Sequence, residues 1–179
     1  VVDDALGTNL VTLAGSDTNL LEIDGGSLYL KAGTTLDFEA QERLTISVAV
    51  SDEGIAGSTP ATRDYSLTIE DVNEAPSAVE IINAITTLPE NTDTSNGIKV
   101  ADIKVTDDAS GANTITLSGN DAAFFTVSQT GLYLRAAAGL DFEQQPTLDV
   151  SVNVLDTTIA GSAAVTAHFS MTVTDINES

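Results

Sequence analysis

Cysteine and tryptophan are absent from the 179 residues, and only one histidine, His168, is present. Without cysteine there is no disulfide, no thiolate metal site and no cysteine nucleophile, and the redox character of the compartment goes unmarked. Aromatic residues make up 4% of the chain, so any core must be built from the abundant Val, Ile, Leu and Ala. Basic residues are equally scarce: six Lys and Arg stand against 27 Asp and Glu, for a formal charge of -21. Nucleic acids and anionic lipids require a positive surface, and this balance excludes both as partners. No apolar run reaches the length of about 18 residues that a membrane span needs, so membrane insertion is not expected.

What is present is a repeat. Residues 1–75 lie without a gap on residues 105–179, and 34 of the 75 positions are identical, which gives a period of 104 residues. Leu36-Asp37-Phe38-Glu39 returns as Leu140-Asp141-Phe142-Glu143, and Leu28-Tyr29-Leu30 as Leu132-Tyr133-Leu134. A period of this length is a domain, so the chain reads as part of a tandem array. The expected units are residues 1–75 and 76–179, the first lacking counterparts of residues 79–104. Its early strands are expected to be cut away, to lie unseen, or to come from another chain by domain swapping.

The apolar period is two nearly everywhere, as in strands with one packed face. Leu44, Ile46, Val48 and Val50 alternate with polar or small residues, and Leu148, Val150, Val152 and Val154 repeat the pattern. Tyr65, Leu67 and Ile69 correspond to Phe169, Met171 and Val173. Shorter strands are expected over 11–13, 20–23 and 28–30, with counterparts at 115–117, 124–127 and 132–134. Residues 79–88 and 98–105 add two more, the latter with a slip of phase between Val100 and Ile103 that implies a bulge. The Ala136-Ala137-Ala138 run stops at Gly139 and is not expected to be helical. About seven strands per complete unit give an all-β, immunoglobulin-like Greek-key sandwich.

The acidic residues gather at the ends of strands. Asp37, Glu39, Asp52 and Asp71 do so in the first unit, Asp107, Asp108 and Asp156 in the second, with Asn73 and Glu74 between them and Asn113 in a loop. Carboxylates crowded together repel unless a cation intervenes. Calcium, which takes six to eight oxygen ligands, suits such a set, whereas zinc and copper sites are not expected. Asp108, adjacent to Asp107, is expected to face away from the ligands, or to join them only if the loop bulges. Asp52 is expected to be unfilled, and Asp24, Asp64, Asp93 and Asp121 to serve solubility and turns. Paired carboxylates could also serve glycoside hydrolysis, but these are grouped at domain ends with no aromatic subsite, and no Gly-x-Ser-x-Gly turn accompanies His168; no enzyme is expected.

In order and spacing these motifs resemble those of cadherin repeats, and more narrowly the cadherin-like repeats of large bacterial surface and secreted proteins. Leu88-Pro89-Glu90-Asn91 resembles the opening glutamate motif, Leu36-Asp37-Phe38-Glu39 the mid-repeat motif, and Asp71-Val72-Asn73-Glu74-Ala75-Pro76 the linker motif. The resemblance implies calcium held between repeats by Asp37, Glu39, Asp71, Val72 (through its carbonyl), Asn73, Glu74, Asp107, Asn113 and Asp156; the shifted register of Asp108 and the lack of a Glu90 counterpart in the first repeat reduce the family's usual three ions to an expected one or two. It also implies half of a further site from Glu90, Asp141, Glu143, Asp175, Asn177 and Glu178. The expected role is that of a calcium-rigidified spacer or adhesion segment of a secreted or cell-surface protein, a bacterial adhesin. Its partners would be neighbouring repeats, and a homophilic partner or a polysaccharide. The alternative is a carbohydrate-binding module with calcium supporting the sugar site, Tyr29 or Tyr133 serving as a platform.

Overall fold

A computed structural model describes residues 8–57, 59–108 and 110–177. Two compact units, Val1–Val72 and Asn73–Ser179, divide the chain. The regular structure of the described residues consists of thirteen strands and one short 3-10 turn at Ala122–Phe124.

The second unit is a complete two-sheet sandwich. Strands β6 (Ala78–Ile82), β8 (Ile98–Thr106), β10 (Phe125–Val127) and β11 (Gly131–Leu134) form one sheet in the order β10-β11-β8-β6. The other, in the order β7-β13-β12-β9, comprises β7 (Thr87–Pro89), β9 (Asn113–Ser118), β12 (Thr147–Asp156) and β13 (Val165–Thr174). Alternation along β12 and β13 buries Leu148, Val150, Val152, Val154, Phe169, Met171 and Val173 and turns Ser151 and His168 to the outer face. Val79, Val100, Ala101, Ile103, Phe125, Leu132 and Leu134 from the opposite sheet close the core. Phe125 and Phe169 meet edge to face, their ring centres 5.9 Å apart.

Two local features depart from simple alternation. The stretch 79–88, expected as one strand, is two: the chain breaks at Asn83, whose φ of 52° is left-handed, and passes from β6 in one sheet to β7 in the other. There β7 pairs parallel with β13, Leu88 opposite Val173. This division makes eight strands where about seven were expected. The phase slip in β8 is a bulge, since Leu132 faces Ala101 while Tyr133 faces Lys99. Val100 is the extra residue, so Val100 and Ala101, although adjacent, are both buried.

The first unit repeats the same elements one period earlier. Strands β1 (Asn9–Ala14), β4 (Arg43–Asp52) and β5 (Ala61–Thr68) form a three-stranded sheet with β4 at its centre. A separate pair, β2 (Leu21–Asp24) and β3 (Ser27–Leu30), takes the place of β10 and β11. Leu21, Leu44, Ile46 and Ile69 are buried. The described residues contain no counterpart of β6, β7 or β8.

Candidate metal centre

The loops at one end of the second unit assemble an oxygen-rich cluster from four parts of the chain. Asp107 and Asp108 follow β8, Asn113 opens β9, Asp156 closes β12, and Asn73 with Glu74 leads toward β6. Antiparallel pairing of β12 with β9 sets Asp156 opposite Asn113. The Asn113 amide donates to Asp107 Oδ2. The Asn73 amide donates to Asp156 Oδ2 at 2.9 Å and to Thr158 Oγ1 at 3.0 Å. Buried Pro76 lies just beyond and fixes the direction in which the chain enters the unit.

Asp156 is fully buried, and its carboxylate is held in ionised form. Its Oδ1 accepts from the Thr158 hydroxyl at 2.6 Å and from the Thr158 amide at 2.7 Å. These bonds, with a smaller contribution from Asn73, overcome burial and bring its pKa down to about 2. Asp108 does not face away. Its Oδ2 accepts from the Glu74 amide at 2.7 Å and its Oδ1 from the Ser110 amide at 2.9 Å. Donation from Glu74, opposed by burial and by the charge of Asp156, holds Asp108 below the ordinary carboxylate range. The opposite-face argument fails for Asp108 because β8 ends at Thr106, and the strand's alternation ends with it.

Three buried acceptors in this cluster receive no hydrogen bond: Asn73 Oδ1, Asp107 Oδ1 and Asn113 Oδ1. Each belongs to a side chain whose other polar atom is bonded to a neighbour in the same cluster, so the orphaned oxygens are positioned rather than loose. Buried acceptors without donors are costly. Hard oxygen donors of this kind fit calcium, whose coordination uses carboxylates and amide carbonyls. Gly111 is required beside them. Its φ is +71°, and a Cβ there would lie 2.2 Å from Asp156 Oδ2 and 2.3 Å from Asn73 Oδ1.

In the first unit, Glu39 and Asp71 bring carboxylate oxygens within 4.8 Å of one another. Asp37 caps the turn that follows it, accepting from the Ala40 amide at 2.9 Å, and Val72 is exposed. At the other end of the second unit, Glu90 bridges two segments: its Oε2 accepts from the Phe142 amide at 2.9 Å and its Oε1 from the Ile176 amide at 2.7 Å. Asp141 accepts from the Gln144 amide at 2.8 Å. Glu143, Asp175 and Asn177 are exposed, and Glu178 lies outside the described residues.

The sequence reading omitted Gly111 and Thr158, although the Asp-x-Thr spacing of an Asx turn signals the second, and it admitted Asp108 only through a bulge of the loop. It also took Asp121 for a solubility residue. Asp121 instead accepts from the Gln145 side chain and from the Asp149 amide, the latter at 2.8 Å. Asp17, one period earlier, accepts from Gln41 Nε2 at 2.9 Å and from the Thr45 amide at 2.6 Å. The Asp/Gln pair recurring at the period was the available signal.

Little supports a sugar platform. Tyr29 is 50% exposed, but Tyr133 is half buried beside Gly131 and Lys99. Ser151 and His168, 2.9 Å apart, are a cross-strand pair on an outer sheet face. The acidic groups of the second unit's cluster accept backbone and side-chain donors at loop ends.

No family model matches the chain. It is 29% identical over 169 residues to human Protocadherin-16, covering 93% of this chain and 5% of the relative. It is also 29% identical over 187 residues to the Fat-like cadherin-related tumor suppressor homolog of Drosophila melanogaster, covering 98% of this chain and 4% of that one. The chain thus spans about a twentieth of the length of these relatives. Extracellular cadherin domains 1–4 of Protocadherin Gamma B7 match at a TM-score of 0.68 and 24% identity, over 92% of this chain and 40% of theirs. Domains 1–2 of human Protocadherin-24 match at 0.66 and 16%, over 98% and 85%. The fold is the cadherin sandwich. The narrower resemblance to bacterial surface proteins, and the bacterial adhesin it implied, are corrected: the matches are to cadherins and protocadherins of animals. The motifs are short and common to cadherin repeats generally, so they carried the fold but not the lineage. No helix of the described residues is long and apolar enough to cross a membrane.

Proposed function

We propose that the chain is a calcium-binding spacer and adhesion segment of an extracellular multi-repeat protein. The observation that carries this reading is the set of orphaned buried oxygens on Asn73, Asp107 and Asn113 beside the ionised Asp156. Those residues, with Asp108, would hold an ion at the head of the second unit. Asp37, Glu39, Asp71, the Val72 carbonyl and Glu74 form the remaining candidate ligands near the linker. Glu90, Asp141, Glu143, Asp175, Asn177 and Glu178 are candidates for half of a further site. Calcium supplies charge neutralisation, which a chain of net charge -21 needs wherever its carboxylates crowd. The chain's own residues fix the donors: Thr158 keeps Asp156 ionised, and Gly111 leaves room beside Asn73. An ion that binds only one arrangement of successive repeats stabilises that arrangement by linkage, giving a spacer whose stiffness depends on calcium. Homophilic contact between such arrays is the adhesive role that the animal relatives suggest.

Calorimetric titration of the full chain with calcium tests the site, with scattering to follow shape. Heat of binding is expected in the wild type, with affinity reduced at least about tenfold in Asp107→Asn, the loss of one charged ligand from a hard-cation site. Absence of binding at millimolar calcium, or an affinity unchanged in that variant, rejects the reading.

A further inference from the structure

The bulge of β8 shapes the outer face of its sheet as well as the core. Residues three apart on a regular strand point to opposite sides, yet the extra residue at Val100 brings Lys99 out beside Asp102, and Lys104 follows two residues on. Lys99 is paired with Asp102, which also accepts from the Asn83 side chain at 2.7 Å. Across the ladder, Lys104 Nζ lies 3.0 Å from Glu80 Oε2, as the register of β6 on β8 requires. Tyr133 lies over Gly131 on the same side, where a Cβ would come within 2.9 Å of its ring and 3.1 Å of Lys99 Cε. Ile82, 39% exposed, continues the face along β6.

The charge on this face differs from that of the chain around it. Of three Lys and Arg residues beyond Val72, Lys99 and Lys104 are on it, and Arg135 follows β11 in the same sheet. With Asp102 and Glu80 the face holds two bases and two acids, so it is neutral in a chain of net charge -21. The outer side of β12 and β13 carries Asp149 and no Lys or Arg. Copies of so acidic a chain repel one another, and that repulsion is least where opposed surfaces carry no net charge. A row of alternating charges is also complementary to itself. A two-fold axis running along the strands between β6 and β8 lays Glu80 of each copy on Lys104 of the other, turning two ion pairs into a square of four alternating charges.

We propose that the outer face of β6 and β8 in the second unit is a contact surface for a second copy of this chain, with Glu80 and Lys104 exchanged across a two-fold axis. The inference rests on the adhesive reading given above and names the surface that serves it. Four strands about 4.8 Å apart, the longest of them β8, give a face of roughly 500 Å² per copy. A total of about 1,000 Å² is at the lower end for specific interfaces, so one such contact is weak. Several copies held together sum such contacts by multivalency. Exposed ion pairs contribute little to folding, so Glu80 and Lys104 can be changed without loss of the sandwich.

The test couples the full chain to beads of two colours and follows their aggregation in millimolar calcium at about 0.15 M salt. Wild-type beads are expected to aggregate. Lys104→Glu and Glu80→Lys should each lower the aggregated fraction at least about fivefold, since like charges then oppose one another across the axis. Mixing the two variants should restore aggregation, because one presents two acids and the other two bases. Asp149→Lys alters net charge as Glu80→Lys does, but on the other sheet, and should leave aggregation undiminished. Aggregation of either single variant like that of wild type, absence of rescue on mixing, or loss in Asp149→Lys overturns the proposal. Dispersed wild-type beads overturn it together with the adhesive reading. Calorimetric calcium binding, to which neither Glu80 nor Lys104 supplies a ligand, stands or falls separately.

Discussion

At the scale of single residues, the acid that recurs in each unit, buried Asp17 in the first and half-buried Asp121 in the second, is a structural fastener. Asp17 is 6% exposed, yet it is charged, because Gln41 and the Thr45 amide both donate to it. Donation from Gln41, then from Thr45, holds its carboxyl below the ordinary value of 3.8. A folded-state pKa depressed below the unfolded one means stability that is complete above the ordinary carboxylate range and lost as the pH falls through the folded value. The first unit is therefore expected to unfold at lower temperature at about pH 2.5 than at about pH 6, and Asp17→Asn to shrink that difference. Thermal denaturation of both proteins at the two pH values checks this, and an undiminished difference in the variant counts against the fastener. Neither Asp17 nor Asp121 was legible as a fastener from charge alone; their partners, 24 residues onward, become neighbours only through the turn that precedes β4 or β12.

Among elements, the connections decide more than the strands do. Alternation placed β4 and β12 within two residues and found the later halves of β5 and β13, which begin four residues earlier than expected, since a half-buried strand writes its period directly into the sequence. It could not divide β6 from β7, because crossing between sheets leaves both pieces apolar in the same rhythm. The turn after β11 shows how repeats accommodate one conformation with two residues. Ala137 adopts a φ of 57°, and Gly33 occupies the same turn one period earlier with a φ of 82°. A left-handed alanine carries a steric cost that glycine escapes, about 1 kcal/mol. Ala137→Gly is accordingly expected to stabilise the second unit by up to about 1 kcal/mol, read as a rise in urea midpoint with unchanged slope. A lowered midpoint would show that the alanine side chain contributes packing that outweighs its strain.

For the whole molecule, the two units differ in completeness and should differ in stability. The second has two facing sheets and a continuous buried core, while the first leaves Leu30 and Tyr65 exposed at an open face. Calorimetry in chelator is expected to resolve two transitions, the lower belonging to the first unit, because burial of apolar area is the main favourable term in folding. Added calcium should raise the upper transition, by about 2.7 kcal/mol of stabilisation at a hundredfold excess over the dissociation constant. A single transition unaffected by calcium would contradict both the independence of the units and the metal site at the head of the second.

The repeat, the all-β class and the acidic strand ends were determined by the sequence itself. A period of 104 residues, a two-residue apolar rhythm and carboxylates at strand ends are all local patterns, visible without folding the chain. The tertiary structure decided what those patterns could not carry. It drew Asp108 into the cluster with Asp156, required Gly111 beside Asn73, left three oxygens without donors, and exposed in one unit the residues buried in the other. Each of these depends on which loops and faces meet across large separations in sequence, and burial or an unmet hydrogen bond exists only once they have met.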